Sequence, residues 1–93
     1  MNLVWKPLAL LDREQIMDYI ARDKPLAALE LDELIEHKVD QLIERPDLYR
    51  AGRKRGTREM VVHPDYIVIY RVRKDIVEIL RVKHTKHTAQ QWP

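Results

Sequence analysis

The chain has 93 residues with 17 Lys and Arg side chains against 15 Asp and Glu, but the formal net charge of +2 combines two halves of opposite sign. Residues 1–48 carry 6 basic and 11 acidic side chains, whereas residues 49–93 carry 11 basic and 4 acidic ones, which predicts a polyanion-facing surface in the second half. The lack of cysteine excludes a disulfide framework, a thiolate nucleophile and a zinc-finger site, and uncharged stretches such as Pro7 to Leu11 are far too short to span a bilayer. These features predict one domain over residues 1–93, in the cytoplasm and without membrane contact.

A short strand and an amphipathic helix are predicted at the start of the chain. Residues 2–6 are rich in apolar side chains and stop at Pro7, a residue that a helix accepts in its first turn. From Pro7 to about Arg22, apolar residues recur with a period of about 3.6. The predicted buried face of this helix consists of Leu10, Ile16, Met17, Ile20 and Ala21.

A second helix is predicted from an N-cap at Asp23 to about Glu44, with Pro25 in its first turn. Acidic residues fall on one side of this helix, so the negative charge of the first half is interpreted mainly as solvated helix surface. The predicted buried face consists of Ala28, Leu31, Leu34, Ile35, Val39 and Leu42.

A basic loop is predicted between the second helix and the strands that follow. Both glycines of the chain, Gly52 and Gly56, lie in a stretch of nine positions that contains five cations and no acidic residue. Arginine grips phosphate oxygens at two points, and glycine lets a backbone approach a ligand closely. A solvated loop is the plain alternative, but the charge contrast favours a polyanion-binding role. The five cations are Arg50, Arg53, Lys54, Arg55 and Arg58.

Three β-rich segments complete the predicted fold, at 57–62, 66–73 and 76–83, separated by tight turns. Leucine dominates the first half of the chain and Ile and Val dominate these segments, which indicates helices followed by strands. The expected class is α+β, with an N-terminal strand, a helical hairpin and a three-stranded antiparallel meander. Both helices are predicted to pack on one sheet face, and the other face is predicted to be free. Alternation along the strands pairs Arg71 with Arg73, and Arg81 with Lys83, on common faces.

The end of the chain repeats Lys-His-Thr at 83–85 and 86–88. Histidine transfers protons near neutral pH, and neighbouring cations stabilise negative charge that develops on phosphorus, so His84 is a candidate for metal-free RNA cleavage. The alternative is that His84 only ends a strand and that His87 belongs to a lengthened tail. His37 and His63 have no partners at metal-ligand spacing, and no metal or cofactor is expected. Tyr66 and Tyr70 share a strand face and are interpreted as packing residues.

The ordered set of these segments resembles the toxins of the RelE/ParE superfamily, the growth-arresting halves of bacterial type II toxin–antitoxin pairs. The resemblance covers nearly the whole chain. It rests on the arginine-led strand at Arg58, on the Tyr-x-x-x-Tyr-Arg-Val pattern from Tyr66 to Val72, and on a last strand that closes in Val-x-His before Gln-Gln-Trp-Pro. The N-terminal strand and helical hairpin follow the layout of the superfamily as well.

The resemblance implies a compact microbial-RNase-like α+β fold and a cognate antitoxin that wraps the toxin. The superfamily divides, because RelE-like members cleave mRNA on the ribosome and ParE-like members poison DNA gyrase. In the RNase scheme, which the basic half and the imidazoles slightly favour, Arg58 and Arg81 stabilise the transition state and His84 is the acid or base. RNA phosphates would bind Arg50, Arg53, Lys54, Arg55 and Lys83.

Other interpretations of the sequence stay open at this stage. Residues 84–93 contain no tyrosine to match the tail tyrosine of the RNases, which leaves a gyrase poison as the main alternative. A non-toxic RNA-binding module is a third interpretation. The antitoxin is expected either on the basic sheet face or on the Leu-rich helical hairpin. Arg58 is expected to point outward from its strand, so Arg58→Glu is expected to weaken toxicity with little loss of fold.

Overall fold

Two helices pack on one face of a five-stranded sheet, which confirms the predicted α+β class. The computed structural model describes residues 1–86, so the prediction for His87 and the Gln-Gln-Trp-Pro motif lie outside the described residues. Neither helix in this part of the chain is long and apolar enough to cross a bilayer. The elements are β1 (Asn2–Trp5), α1 (Pro7–Ala21), α2 (Pro25–Asp40), a 3₁₀ turn (Gln41–Ile43), β2 (Arg50–Ala51), β3 (Arg58–His63), β4 (Tyr66–Arg73) and β5 (Ile76–His84).

The sheet has the strand order β1-β5-β4-β3-β2. The three long strands β3, β4 and β5 form the predicted antiparallel meander, and β1 lies parallel to β5 with Asn2 opposite Ile76 and Trp5 opposite Ile79. The two-residue strand β2 pairs antiparallel with β3 and was not predicted, because a segment this short carries no periodic signal. In the second half of the meander the register shifts between Ile69 and Tyr70, which leaves Leu80 as the extra residue of a β-bulge in β5.

The core lies between the helices and one sheet face. The two helices contribute unequally to this core. Helix α2 buries Ala28, Leu31, Ile35 and Val39, whereas α1 buries only Ala9 completely. The predicted buried face of α1 is therefore only partly right, since Ile16, Met17 and Ile20 pack against the core but Leu10 and Ala21 are exposed. The sheet contributes Met60, Val62, Tyr66, Val68, Tyr70, Val77, Ile79 and Val82.

The start of α2 differs from the prediction. Lys24, not Asp23, is the N-cap residue, and no side chain caps the helix. Pro25 is the first helical residue, and the residue before a proline is kept out of the helical conformation by steric conflict with the proline ring. This conflict places the boundary one residue later than the capping pattern suggested. The regular helix also ends before Glu44, at Asp40, where the chain tightens into the 3₁₀ turn.

The sheet face that points away from the helices, called here the open face, is less bare than predicted. Ile67 and Ile69 alternate with the core residues of β4 and so belong to the open face, yet they are only 2% and 0% exposed. Thr57 and Glu59 are buried on the same side. The loop at 52–57 contributes to this cover, because its backbone binds Glu59.

Candidate functional site

The basic loop at 52–57 is held in a fixed shape by its own hydrogen bonds. The Gly52 amide donates to the Thr57 carbonyl at 2.7 Å, and the Thr57 hydroxyl donates to the Lys54 carbonyl at 2.6 Å. Gly56 has a φ of 82°, a left-handed conformation that favours glycine. The turn is thus closed on itself, and its three central cations, Arg53, Lys54 and Arg55, are exposed.

A buried carboxylate anchors this loop to the sheet. Glu59 accepts one hydrogen bond from the Arg53 amide at 3.1 Å and another from Arg50 Nη2 at 3.2 Å. Its side chain is buried while that of Arg50 is exposed, so the pair lies at the boundary between sheet and solvent. Arg50 therefore helps to fix the position of the loop and also adds to its positive charge. The cations of this loop stand out in the sequence, whereas the carboxylate of Glu59, which fixes the position of the loop, does not.

Arg58 does not point outward, and that prediction is wrong. It has the same strand parity as Met60 and so lies on the helix side of the sheet, where it donates to the carbonyls of Tyr49 at 2.7 Å and Asp47 at 3.3 Å. Its cross-strand neighbour Tyr70 donates its hydroxyl to the Pro46 carbonyl at 2.6 Å. Burial raises the pKa of Tyr70 to about 12. Arg58 and Tyr70 together hold the segment 46–49 against the end of the sheet.

Arg81 is held by a carboxylate of α1. Its Nε donates to Asp12 Oδ2 at 2.7 Å and its Nη2 donates to Asp12 Oδ1 at 2.9 Å, which is the two-point geometry of a strong arginine–carboxylate pair. The Val82 amide also donates to Asp12 Oδ2, at 3.0 Å. Because β1 pairs with β5 only as far as Ile79, Asp12 takes the place of a strand partner for this amide. The bond to Asp12 raises the pKa of Arg81.

Arg81, Lys83 and His84 come together in a cleft between α1 and the end of β5. The cleft has a volume of about 620 Å³ and its other walls include Tyr19 and Tyr66. The His84 ring packs edge-on against Tyr66 with 5.2 Å between the ring centroids, and the Lys86 amide donates to His84 Nδ1 at 3.1 Å. Lys83 is buried, and this desolvation lowers the pKa of its ammonium group.

The structure thus divides the predicted site residues among three places. Arg81, Lys83 and His84 share the cleft, whereas Arg58 lies under the segment 46–49 and the cations of the loop lie beyond the open face. Lys54 of the loop and Arg81 also line a second, smaller cleft together. Asp12, like Glu59, is a residue that the sequence patterns did not single out. Its place among the acidic residues of two helices gave no sign that its partner is 69 positions away.

Comparison with known proteins agrees with this architecture. The family described as "ParE toxin of type II toxin-antitoxin system, parDE" matches residues 3–89. The putative toxin Y4kP of Sinorhizobium fredii (strain NBRC 101917 / NGR234) is 42% identical over 90 residues, which cover 96% of this chain and 90% of that protein. Toxin RelE2 of Caulobacter vibrioides (strain ATCC 19089 / CIP 103742 / CB 15) is 37% identical over 83 residues, which cover 89% of this chain and 93% of that protein.

A solved structure gives the same result at the level of the fold. The chromosomal ParDE toxin–antitoxin system of P. aeruginosa contains a chain that superposes with a TM-score of 0.81 at 24% identity, covering 90% of this chain and 95% of that one. The α+β fold and the matched sequence together define a toxin of the RelE/ParE superfamily. Within it, the chain belongs to the ParE toxin family of type II toxin–antitoxin systems.

Family membership has two consequences. The chain is the toxin of a type II pair, so a cognate antitoxin is its partner, as the resemblance implied. The interpretation as a non-toxic RNA-binding module is set aside by the same finding.

Proposed function

We propose that this toxin arrests growth by binding DNA gyrase rather than by cutting mRNA. The observation that carries the proposal is the Arg81–Asp12 pair. A guanidinium that already meets a carboxylate at two points, in a partly buried site, has little charge left to stabilise an RNA phosphate in a transition state. The ParE family match over residues 3–89 supports the same choice.

Arg58, the second arginine of the cleavage scheme, supports the proposal independently. Its guanidinium binds two backbone carbonyls of the segment 46–49, and it would have to give up both bonds to reach a phosphate outside the sheet. It is also absent from the walls of the cleft that contains His84. An arginine in this position stabilises the fold and not a reaction.

A gyrase poison needs a surface for a protein target, and the tip of the helical hairpin offers one. Tyr19, near the end of α1, is 70% exposed, and Leu26, at the start of α2, is 74% exposed. Large apolar side chains grouped at an exposed position are typical of protein contacts. We assign the gyrase contact to this tip, which is distinct from the basic loop.

The test compares two activities of the purified toxin. We expect it to inhibit DNA supercoiling by gyrase and to leave mRNA intact on translating ribosomes. Leu26→Asp is expected to remove inhibition, because it places a charge in the contact, whereas Arg55→Ala in the basic loop is expected to keep it. The proposal fails if supercoiling continues at toxin concentrations that arrest growth.

Cleavage of mRNA is the second candidate, and one observation favours it. Arg81, Lys83 and His84 line one cleft beside Tyr66, which is the set of cations and imidazole that metal-free cleavage requires. In that scheme Asp12 releases Arg81 to the phosphate. His84→Ala would then abolish both mRNA cleavage and toxicity, whereas under the gyrase proposal the same variant remains toxic.

A further inference from the structure

A second cleft, called here the junction cleft, lies where the open face meets the β1–α1 junction. It has a volume of about 330 Å³, and its floor is apolar. Leu8, on the first turn of α1, is 53% exposed, and Leu80 is the half-buried extra residue of the bulge in β5. With Pro7 they form the apolar floor of the cleft, away from the core between helices and sheet. Packing of the core does not account for this exposed apolar area.

Cations from four different elements surround this floor. They come from the β1–α1 junction, the basic loop, β4 and β5, and are Lys6, Lys54, Arg71 and Arg81. Glu78 pairs with both Lys6 and Arg71, and Asp12 pairs with Arg81. Four positive charges against two negative ones leave two positive charges at the rim.

Lys54 is the rim cation whose charge is not compensated. Among the ion pairs of residues 1–86, none involves the Lys54 ammonium. Its backbone is fixed at the edge of the cleft, because Thr57, which also lines the cleft, binds the Lys54 carbonyl through its hydroxyl. A partner would therefore meet a rim that is already arranged, which lowers the entropic cost of binding.

We propose that the junction cleft is the docking surface of the cognate antitoxin, which inserts an aliphatic side chain over Leu8 and Leu80 and places acidic residues beside Lys54. The inference rests on membership of a toxin–antitoxin family and not on the identity of the cellular target. The apolar floor selects a protein over a nucleic acid, because no aromatic side chain of residues 1–86 lines the cleft to stack a base. The forks of Arg71 and Arg81 are both turned to carboxylates, which leaves them poorly placed to grip phosphate. The net positive rim selects acidic residues in the partner.

The first test uses two leucines of the same helix. Leu8 lines the cleft, whereas Leu10 does not, and their exposed fractions are nearly equal at 53% and 50%. Each is changed to Asp in the full-length toxin, and binding to the antitoxin encoded by the adjacent reading frame is measured by calorimetry. We expect Leu8→Asp to weaken binding about 100-fold, as for a side chain at the centre of an interface, and Leu10→Asp to change it by less than about threefold. The reverse order would place the antitoxin on the part of the helical hairpin outside the junction cleft and overturn the proposal.

A second pair tests the charge. Lys54→Glu is expected to weaken binding more than Arg55→Glu, because these neighbours are both exposed and only Lys54 lines the cleft. Unchanged melting temperatures would show that both variants fold. If Lys54→Glu instead abolishes binding of a 20-nucleotide single-stranded RNA and leaves antitoxin binding intact, the cleft is a nucleic-acid site and the proposal is wrong.

Growth assays separate this inference from the proposed gyrase activity. Leu8→Asp should still arrest growth when it is expressed alone, whichever target the toxin has. It should no longer be rescued by co-expressed antitoxin, whereas Leu10→Asp should be rescued fully. Rescue of both variants would contradict the docking surface and would leave the gyrase proposal untouched.

Discussion

A single residue, Arg58, holds the segment 46–49 in place through its hydrogen bonds. Its two bonds to carbonyl oxygens would be replaced in Arg58→Glu by repulsion between a carboxylate and those same oxygens. We expect this change to lower the free energy of unfolding by about 2–4 kcal/mol, the range for loss of a charged hydrogen-bonded group that leaves its partners unpaired. Urea denaturation of the purified toxin measures it.

The control for this prediction is Arg73→Glu, a change of the same charge at an exposed position of the neighbouring strand β4. It should alter the free energy of unfolding by no more than about 0.5 kcal/mol. Equal losses in the two variants would mean that net charge, and not the loss of the hydrogen bonds to residues 46–49, is responsible.

The buried hydroxyl of Tyr70 leads us to expect that the free energy of unfolding depends on pH in alkaline solution. Burial raises its pKa from 10.0 to about 12 in the folded protein, so the unfolded chain releases the proton first. This group should thus give the free energy of unfolding no dependence on pH below about pH 10. The free energy of unfolding should fall as the pH rises from about 10 to about 12, by roughly 1.4 kcal/mol for each unit of pKa difference. Urea denaturation at pH 9 and pH 11 tests this.

Tyr70→Phe isolates the effect of that one group. The variant loses the hydrogen bond to the Pro46 carbonyl, so at pH 9 it should be about 1 kcal/mol less stable than the native toxin. At pH 11 the difference should shrink, because Phe has no proton to lose. Tyr19→Phe, at an exposed position, should behave like the native toxin at both pH values, and a constant gap between Tyr70→Phe and native toxin would refute the assignment.

The sequence alone could not predict the surroundings of the two arginines of the candidate site or of the carboxylates that fix the site. Arg58 and Arg81 stood out because of their charge and spacing, but the sequence did not give the side of the sheet on which Arg58 lies or the partner of Arg81. The first depends on strand register relative to the core, and the second on a contact between residues 69 positions apart. Asp12 and Glu59 looked like ordinary surface acids, because only the folded chain brings each to a backbone amide.

At the scale of an element, the loop at 52–57 depends on one close approach. A Cβ added at Gly52 would collide with the Thr57 hydroxyl, which already binds the Lys54 carbonyl. We expect Gly52→Ala to destabilise the toxin by about 1–3 kcal/mol, as overpacking of a close contact does. Thr57→Ala removes the colliding hydroxyl, so in combination with it Gly52→Ala should cost less than it does alone. A double-mutant cycle in urea measures the coupling, and strict additivity would contradict it.

The long elements were predictable and the short irregular ones were not. Two helices and three strands have clear hydrophobic periods, which is why α1, α2 and the meander appear within a few residues of their predicted bounds. The strand β2 and the bulge at Leu80 arise from pairing with neighbours and carry no local signal. The bulge matters for the site, because it brings Leu80 to the junction cleft beside Arg81.

At the scale of the whole molecule, the two charged halves form separate surfaces. The exposed acids of α2 lie on the outside of the helical hairpin, and the exposed cations of the loop lie beyond the open face. A partner approaching the loop therefore meets a positive field although the net charge is only +2. Such a field acts over about 10 Å at 0.1 M salt and about 3 Å at 1 M salt.

This separation predicts the salt dependence of antitoxin binding. The association rate should fall at least about tenfold between low and high salt, because salt screens the electrostatic steering by the loop. The dissociation rate should change much less, because the contacts with the apolar floor of the junction cleft are insensitive to salt. Replacing Arg53, Lys54 and Arg55 together by Gln should make the association rate nearly independent of salt. Glu30→Gln and Glu33→Gln on the exposed face of α2 should leave the salt dependence unchanged. Stopped-flow measurements over a series of NaCl concentrations decide the matter: a rate that does not respond to salt in the native toxin would show that the basic loop plays no part in recognising the antitoxin.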